Sequence, residues 1–374
     1  MHTLKSSSSG QNLPSRRSLL SGLTALGVGA WITGTGSEAQ TNASPRRIDF
    51  HHHFQSPEVF AFASSKGIRT GPPTWTLAKD LDDMDKSGTA TALLSALGQP
   101  ANLDFGDVES VRKAVRMCND FAAKLNSDHP GRFGNFAALP WWYPDTDGAL
   151  REIEYALDTL KADGFMSYTS HGDRWVGDES WSPIYQELNR RKAIVFIHPH
   201  TAKCCEPAGL SKDIPNEGAM IEYGTDTTRT IANVIFSGFT SRFPDITLVF
   251  SHAGGMMPFI IERFFQGGES GEVVPGIVTK GQDGRPVKNL AAGSDVLGEL
   301  RKLYFDTAQS SNPVAMDALR KVVPVSQIVY GTDYWFRTSV ETSRGLTTNK
   351  VFTAKELRAI NRGNAERILP RYRS

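Results

Sequence analysis

Short apolar runs recur along the chain, and the segments between them carry apolar residues at helical spacing. Eight of these runs read as β-strands, at residues 47–51, 90–95, 133–139, 164–168, 193–198, 247–251, 303–306 and 327–330. The stretches at 108–126, 146–162, 182–191, 227–243, 313–322 and 354–369 read as amphipathic helices. Strands that alternate with helices pair in parallel through right-handed crossovers. Eight such units predict a closed (β/α)8 TIM barrel, with a doubly wound open sheet as the alternative. No glycine-rich phosphate loop follows the first strand, which argues against the open sheet. Two longer segments break the rhythm, at 55–75 and 266–297, and are expected as loop insertions, the first lying over the C-terminal mouth of the barrel.

The first 39 residues follow another pattern. A polar start, "MHTLKSSSSGQNLPSRR", precedes an apolar run from Leu19 to Ile32 and the small-residue sequence "SEAQ". This is the layout of an export signal, with Arg16 and Arg17 as the pair of a twin-arginine leader and a cut after Ala39. A bilayer span needs about 20 apolar residues, so no stable membrane span is expected. Residues 40–374 then form one barrel domain, periplasmic or secreted.

Charge and cysteines narrow the picture. A net charge of +1 gives no sign of a nucleic-acid partner. Cys118, Cys204 and Cys205 have no CxxC spacing, which leaves thiolate zinc binding without support. The histidines are more telling: six of the nine fall at predicted strand ends, in "DFHHHF", "VFIHPH" and "VFSHAGG". Barrel enzymes place their reacting groups at that rim.

Pleat geometry separates the three adjacent histidines. Successive side chains point to opposite faces, so His51 and His53 share a face and His52 takes the other. Two imidazoles at i and i+2 can grip one ion, His198 can add a third nitrogen, and Asp333 in "VYGTDYW" a hard oxygen. That set suits one divalent metal, Zn²⁺ first, with Mn²⁺ or another ion as the alternative. His200, two residues past His198, falls on the same face if the strand continues and would line the pocket. Asp306 would orient a ligand or bond to loop backbone. Trp75, Trp141, Trp142 and Trp335 are candidates to stack on a substrate ring, or else core packing.

The stretches "IDFHHHF", "FIHPH", "FSHAGG" and "GTDYW", in this order, resemble the metal-dependent amidohydrolase superfamily, in its branch related to aminocarboxymuconate-semialdehyde decarboxylase. The similarity runs from about Ile48 to Leu369, and the segment "MIEYGTDTTRTIANVIFSGFTSRFPD" is most similar to decarboxylases of 6-methylsalicylate and related hydroxybenzoates. The resemblance implies metal ligands at His51, His53, His198 and Asp333, and an acid–base residue at His252. It implies Arg263 as an arginine that reaches a neighbouring subunit's site, hence a homodimer or higher homo-oligomer, with Arg229 as a second anchor for a carboxylate. Local ion pairing or a surface position is the competing reading for both arginines. The chain also departs from the family. "GFMSYTSHG" lacks the lysine that bridges two metals in many hydrolytic members, which favours one metal. "TWTLAKDLDDMD" carries Trp75 and Lys79 where the muconate enzymes carry arginine, leaving room for an aromatic ring.

The expected function is a metal-dependent non-oxidative decarboxylase of a small aromatic or enol carboxylic acid, with His252 or Asp333 delivering the proton. The alternatives are a hydrolase of a lactone or cyclic amide and, from a different class, a metal-binding protein without catalysis.

Overall fold

The computed structural model describes residues 45–70, 74–96, 103, 105–141, 145–205, 218–265 and 296–373. The leader, Trp142 and all but the end of the 266–297 insertion lie outside the described residues. Eight parallel strands form one sheet in the order β1 (Arg47–Phe54), β2 (Thr89–Ala96), β3 (Phe133–Ala137), β4 (Gly164–Tyr168), β7 (Ile194–His198), β8 (Thr247–Phe250), β9 (Tyr304–Asp306) and β10 (Ile328–Val329). A short antiparallel hairpin, β5 (Ser170–His171) with β6 (Arg174–Trp175), hangs from the end of β4. Phe50 N donates to Tyr330 O at 2.9 Å, and His53 N donates to Tyr334 O at 3.0 Å. These bonds join β1 to the segment leaving β10 and close the (β/α)8 barrel.

Inside the barrel, Ile48, Phe50, Leu93, Phe136, Met166, Phe196, Val249 and Val329 form one buried cluster. Parallel strands buried on both faces need such continuous apolar runs. The outer faces pack against helices; Ala92, Leu94 and Phe133, for example, meet Val111, Ala114 and Val115 of the long helix Val108–Asp128.

Three predicted helices differ from expectation, each for a local reason. The 227–243 stretch starts earlier, at Tyr223, and ends at Phe236, because Gly238 adopts a left-handed φ of 69° and the chain restarts as Phe239–Arg242. The 146–162 stretch is α-helical to Glu154 and then widens into a π-turn, Tyr155–Thr159. The 354–369 stretch is split by a π-turn, Ala359–Gly363, which frees Ile360 O to accept from Tyr330 N at 3.0 Å. Helices Pro57–Ser65, Leu77–Ser87 and Ser339–Thr348 were not predicted. The first occupies the 55–75 insertion, whose far end is pinned to the barrel rim by Gln55 Oε1, which accepts from Thr74 N and Trp75 N. Among the described residues no helix is long and apolar enough to cross a membrane.

Candidate metal centre

The first strand sets the site. Its register against β2 slips between Asp49 and His52, as at a β-bulge. The slip turns consecutive residues inward: Phe50 packs on Phe136, and the His51 ring stands 4.9 Å from that of Phe196. His53 then faces inward and His52 outward, as the pleat predicts. All three rings are fully buried.

His52 is held apart from the site. Its Nδ1 lies 3.0 Å from Asp49 Oδ2, its Nε2 2.7 Å from Asp80 Oδ1, and its ring stacks on Tyr334 at 4.6 Å. Burial opposes a charge on His52, but Asp80 and Asp49 outweigh it and raise the ring to about 10. The imidazolium and its two carboxylates pin β1 to helix Leu77–Ser87 and, through Thr332, whose N and Oγ1 both donate to Asp49, to the β10 loop. Removing one partner of a buried ion pair costs about 3–5 kcal/mol. Asp80→Ala is therefore expected to lose about that much in chemical denaturation. A loss under about 1 kcal/mol, the range of an exposed pair, would contradict this role.

On the inner side, four donor atoms converge. His51 Nε2 lies 3.1 Å from His53 Nε2 and 3.2 Å from Asp333 Oδ1. His53 Nε2 lies 3.0 Å from Asp333 Oδ1 and 3.2 Å from His198 Nε2. Each imidazole has an oxygen at its other nitrogen: Asp306 Oδ2 at 2.7 Å from His51, Ser95 O at 3.2 Å from His53, and Pro199 O at 2.9 Å from His198. An Nδ1–H directed at each oxygen leaves three Nε2 lone pairs facing one another and facing Asp333 Oδ1, a buried oxygen with no hydrogen-bond partner. Lone pairs so arranged repel unless a cation lies among them. Donors bound at 2.0–2.1 Å to one ion stand about 3.0–3.4 Å apart, which matches these spacings. The residues therefore fit a divalent ion.

A bound ion would take the place of a proton that the carboxylates otherwise draw onto His51. Burial works against charge on His51, yet Asp333 and Asp306 raise it to about 10. Burial, together with the neighbouring rings His53 and His51, holds His198 well below its ordinary range. Burial also lowers His53. Asp333 is held well below the usual carboxylate range: its burial is outweighed by His51, His252 and His53. Asp306 takes both roles open to it, orienting His51 and accepting from the backbone N–H groups of His252 and Ala308 at 2.8 and 2.9 Å.

His252 stands beside this group, its Nε2 3.2 Å from Asp333 Oδ2. One ligand atom each from His51, His198, His252 and Asp333 falls within a 4.8 Å span. His53 is nearer to His51, His198 and Asp333 than that span requires, whereas the shortest contact of His252 is to the outer oxygen of Asp333. His252 has a left-handed φ of 53° and begins a run of positive φ that ends at Gly255, where a Cβ would stand 2.3 Å from Gly224 O. Gly331 answers a second close approach, since a Cβ there would fall 2.9 Å from the Cβ of His51 and 2.8 Å from that of Asp306.

Above the donors opens a cavity of about 660 Å³, whose lining includes His198, Tyr223, His252, Gln309, Asp333 and Phe336. The other predicted pocket residues lie elsewhere. Trp75 is buried, its indole N–H bonded to Asp80 Oδ2 at 2.8 Å and its ring packed against Phe54, so it supports the His52 cluster rather than the cavity. Trp141 is likewise buried, stacked on His171, and Trp335 lies behind Phe336. Arg229 is held by Asp226 at 2.8 Å and lies 5.6 Å over the Trp175 ring, outside the cavity lining. His200 tilts against Tyr168 at 5.1 Å, also outside that lining. Arg263 is exposed on a 3-10 turn, Ile261–Phe264. The reading of the sequence missed Tyr223, Gln309, Phe336 and Arg337 in the lining. Phe336 and Arg337 directly follow the "GTDYW" stretch, the one sequence signal that pointed to them.

Known proteins share this chain's sequence and fold. It is 33% identical over 341 residues to the decarboxylase yanB of Aspergillus niger, covering 87% of this chain and 88% of that protein. It is 32% identical over 294 residues to the 6-methylsalicylic acid decarboxylase of Penicillium expansum, covering 77% and 84%. The fold matches the crystal structure of a dihydroxybenzoic acid decarboxylase from Polaromonas, described with bound manganese, at a TM-score of 0.70, 18% identity and coverage of 88% and 98%. The amidohydrolase family model matches residues 48–371, nearly the whole described barrel, and the chain belongs to that family.

Proposed function

We propose that the protein is a metal-dependent, non-oxidative decarboxylase of a hydroxybenzoate. The observation that carries the metal is the orphaned Asp333 Oδ1 facing three imidazole lone pairs beneath an open cavity. The decarboxylase reading is supported by the relatives with at least 30% identity, which include the two named above and a second 6-methylsalicylic acid decarboxylase.

His51, His53, His198 and Asp333 would hold the ion, with Zn²⁺ preferred for three nitrogens and one oxygen, and Mn²⁺ as the alternative. Once bound, the ion supplies positive charge that fixes the substrate carboxylate or an ortho phenolic oxygen. Phe336, exposed in the cavity lining, offers a flat face to the ring. His252 carries the proton, because Asp333 is too acidic to hold it and stays a carboxylate that orients the imidazole through Oδ2. The proton passes from His252 to the ring carbon bearing the carboxylate. The bond from that carbon to the carboxylate then breaks, its electron pair restores the aromatic ring, and CO2 leaves. His252 regains its proton from solvent through the cavity.

Export by the twin-arginine route and assembly into at least a dimer belong to the same proposal. They rest on Arg16 and Arg17 ahead of the apolar run and on the sequence resemblance that gives Arg263 a role at a neighbouring subunit's site.

Metal removal tests the reading. Protein stripped by a chelator should release no CO2 from a panel of hydroxybenzoates, and adding back Zn²⁺ or Mn²⁺ should restore release. Unchanged activity in metal-free protein would overturn it.

A further inference from the structure

Gln309 is an exposed residue whose backbone sits at a left-handed φ of 50°, a conformation that costs a non-glycine residue free energy. The turn that holds it is built from both ends. Asp306 Oδ1 accepts from Ala308 N at 2.9 Å, Ser310 N donates to Thr307 O at 3.1 Å, and Thr307 Oγ1 donates to Gly331 O at 3.0 Å. This frame aims the Gln309 side chain into the cavity, where Nε2 donates to Asp333 Oδ2. An amide presents its N–H to a carboxylate, since its oxygen would be repelled. The two arms of an amide diverge, so Oε1 points away from Asp333 Oδ2.

We propose that Gln309 is a positioning and specificity residue. Its N–H fixes Asp333 so that Oδ1 faces the three imidazoles, and its carbonyl oxygen accepts a hydrogen bond from a ring hydroxyl of the substrate. The cavity thereby prefers a hydroxylated benzoate to one bearing hydrogen at that position. The second half rests on the hydroxybenzoate reading above; the first half does not.

The test compares wild type with Gln309→Ala and Gln309→Glu in two binding measurements that need no turnover. Titration of Zn²⁺ against a competing chelator should show metal affinity about 10–100-fold lower in Gln309→Ala, the usual cost of losing a group that orients a ligand. Gln309→Glu loses the donated N–H but adds a negative charge beside the ion, so its affinity should fall less than that of Gln309→Ala. Calorimetry on metal-loaded protein should show the preference for salicylate over benzoate falling about tenfold in Gln309→Ala. Melting temperatures of the metal-free proteins should stay at the wild-type value, since the side chain is exposed. Wild-type metal affinity in Gln309→Ala would overturn the hold on Asp333, and an unchanged preference would overturn the hydroxyl contact. A wild-type protein with no preference for salicylate would sink the substrate half together with the hydroxybenzoate reading, while the Zn²⁺ titration would still decide the first half.

Discussion

His252→Ala is expected to keep its metal and lose about 10²–10⁴-fold in turnover, the usual worth of one positioned acid–base group. The geometry gives the reason. His252 makes its hydrogen-bond contact with the donor group at the outer oxygen of Asp333, 3.2 Å away, while His53 lies on the inner side at 3.0 Å from Oδ1. Removing the imidazole therefore leaves the three facing nitrogens and Oδ1 in place. His252 is also partly open to the cavity, so added imidazole should restore part of the rate. Metal content by elemental analysis, beside turnover, checks this. Release of the ion from His252→Ala would make His252 a ligand and move the proton donor elsewhere.

His198→Ala is expected to lose both the metal and the activity. His198 Nε2 is one of three imidazole nitrogens that meet around Asp333 Oδ1, at the end of a buried strand. The charge stabilisation supplied by a bound ion amounts to several kcal/mol, so turnover should fall by about 10³-fold or more. The fold should survive, because the barrel interior below the site is an apolar cluster that does not include His198. The contrast between the two variants is sharper than either alone: both inactive, only one empty of metal. A His198→Ala protein that retains stoichiometric metal would show that the ion sits among other donors.

Much of this site was legible in the sequence because its donor residues lie at or just past strand ends, where period-two alternation and a parallel barrel fix which face each residue takes. The pairing of His51 with His53, the outward turn of His52 and the return of Asp333 from the last strand all followed from that. The β-bulge that turns Phe50 and His51 inward together was not legible, since a register slip depends on what β2 offers across the sheet. Nor were the partners of His52: Asp80 lies 28 residues away on a helix with four aspartates, and nothing in the sequence singles out the one that meets His52. Trp75 misled for a general reason. An indole serves a core or a pocket equally well, and here its N–H is bonded to Asp80. Gln309 carried no signal because its importance comes from a left-handed turn, which the sequence around it does not announce.

The central claim is that this cavity protonates an aromatic ring carbon and releases CO2. The direct measurement is NMR of the metal-analysed protein incubated in D2O with a panel of hydroxybenzoates, with lactones alongside. The account predicts deuterium at the ring position vacated by the carboxylate, one CO2 released per deuterium gained, and intact lactones. Ring-opened lactone beside untouched benzoates would contradict it and make the protein a hydrolase.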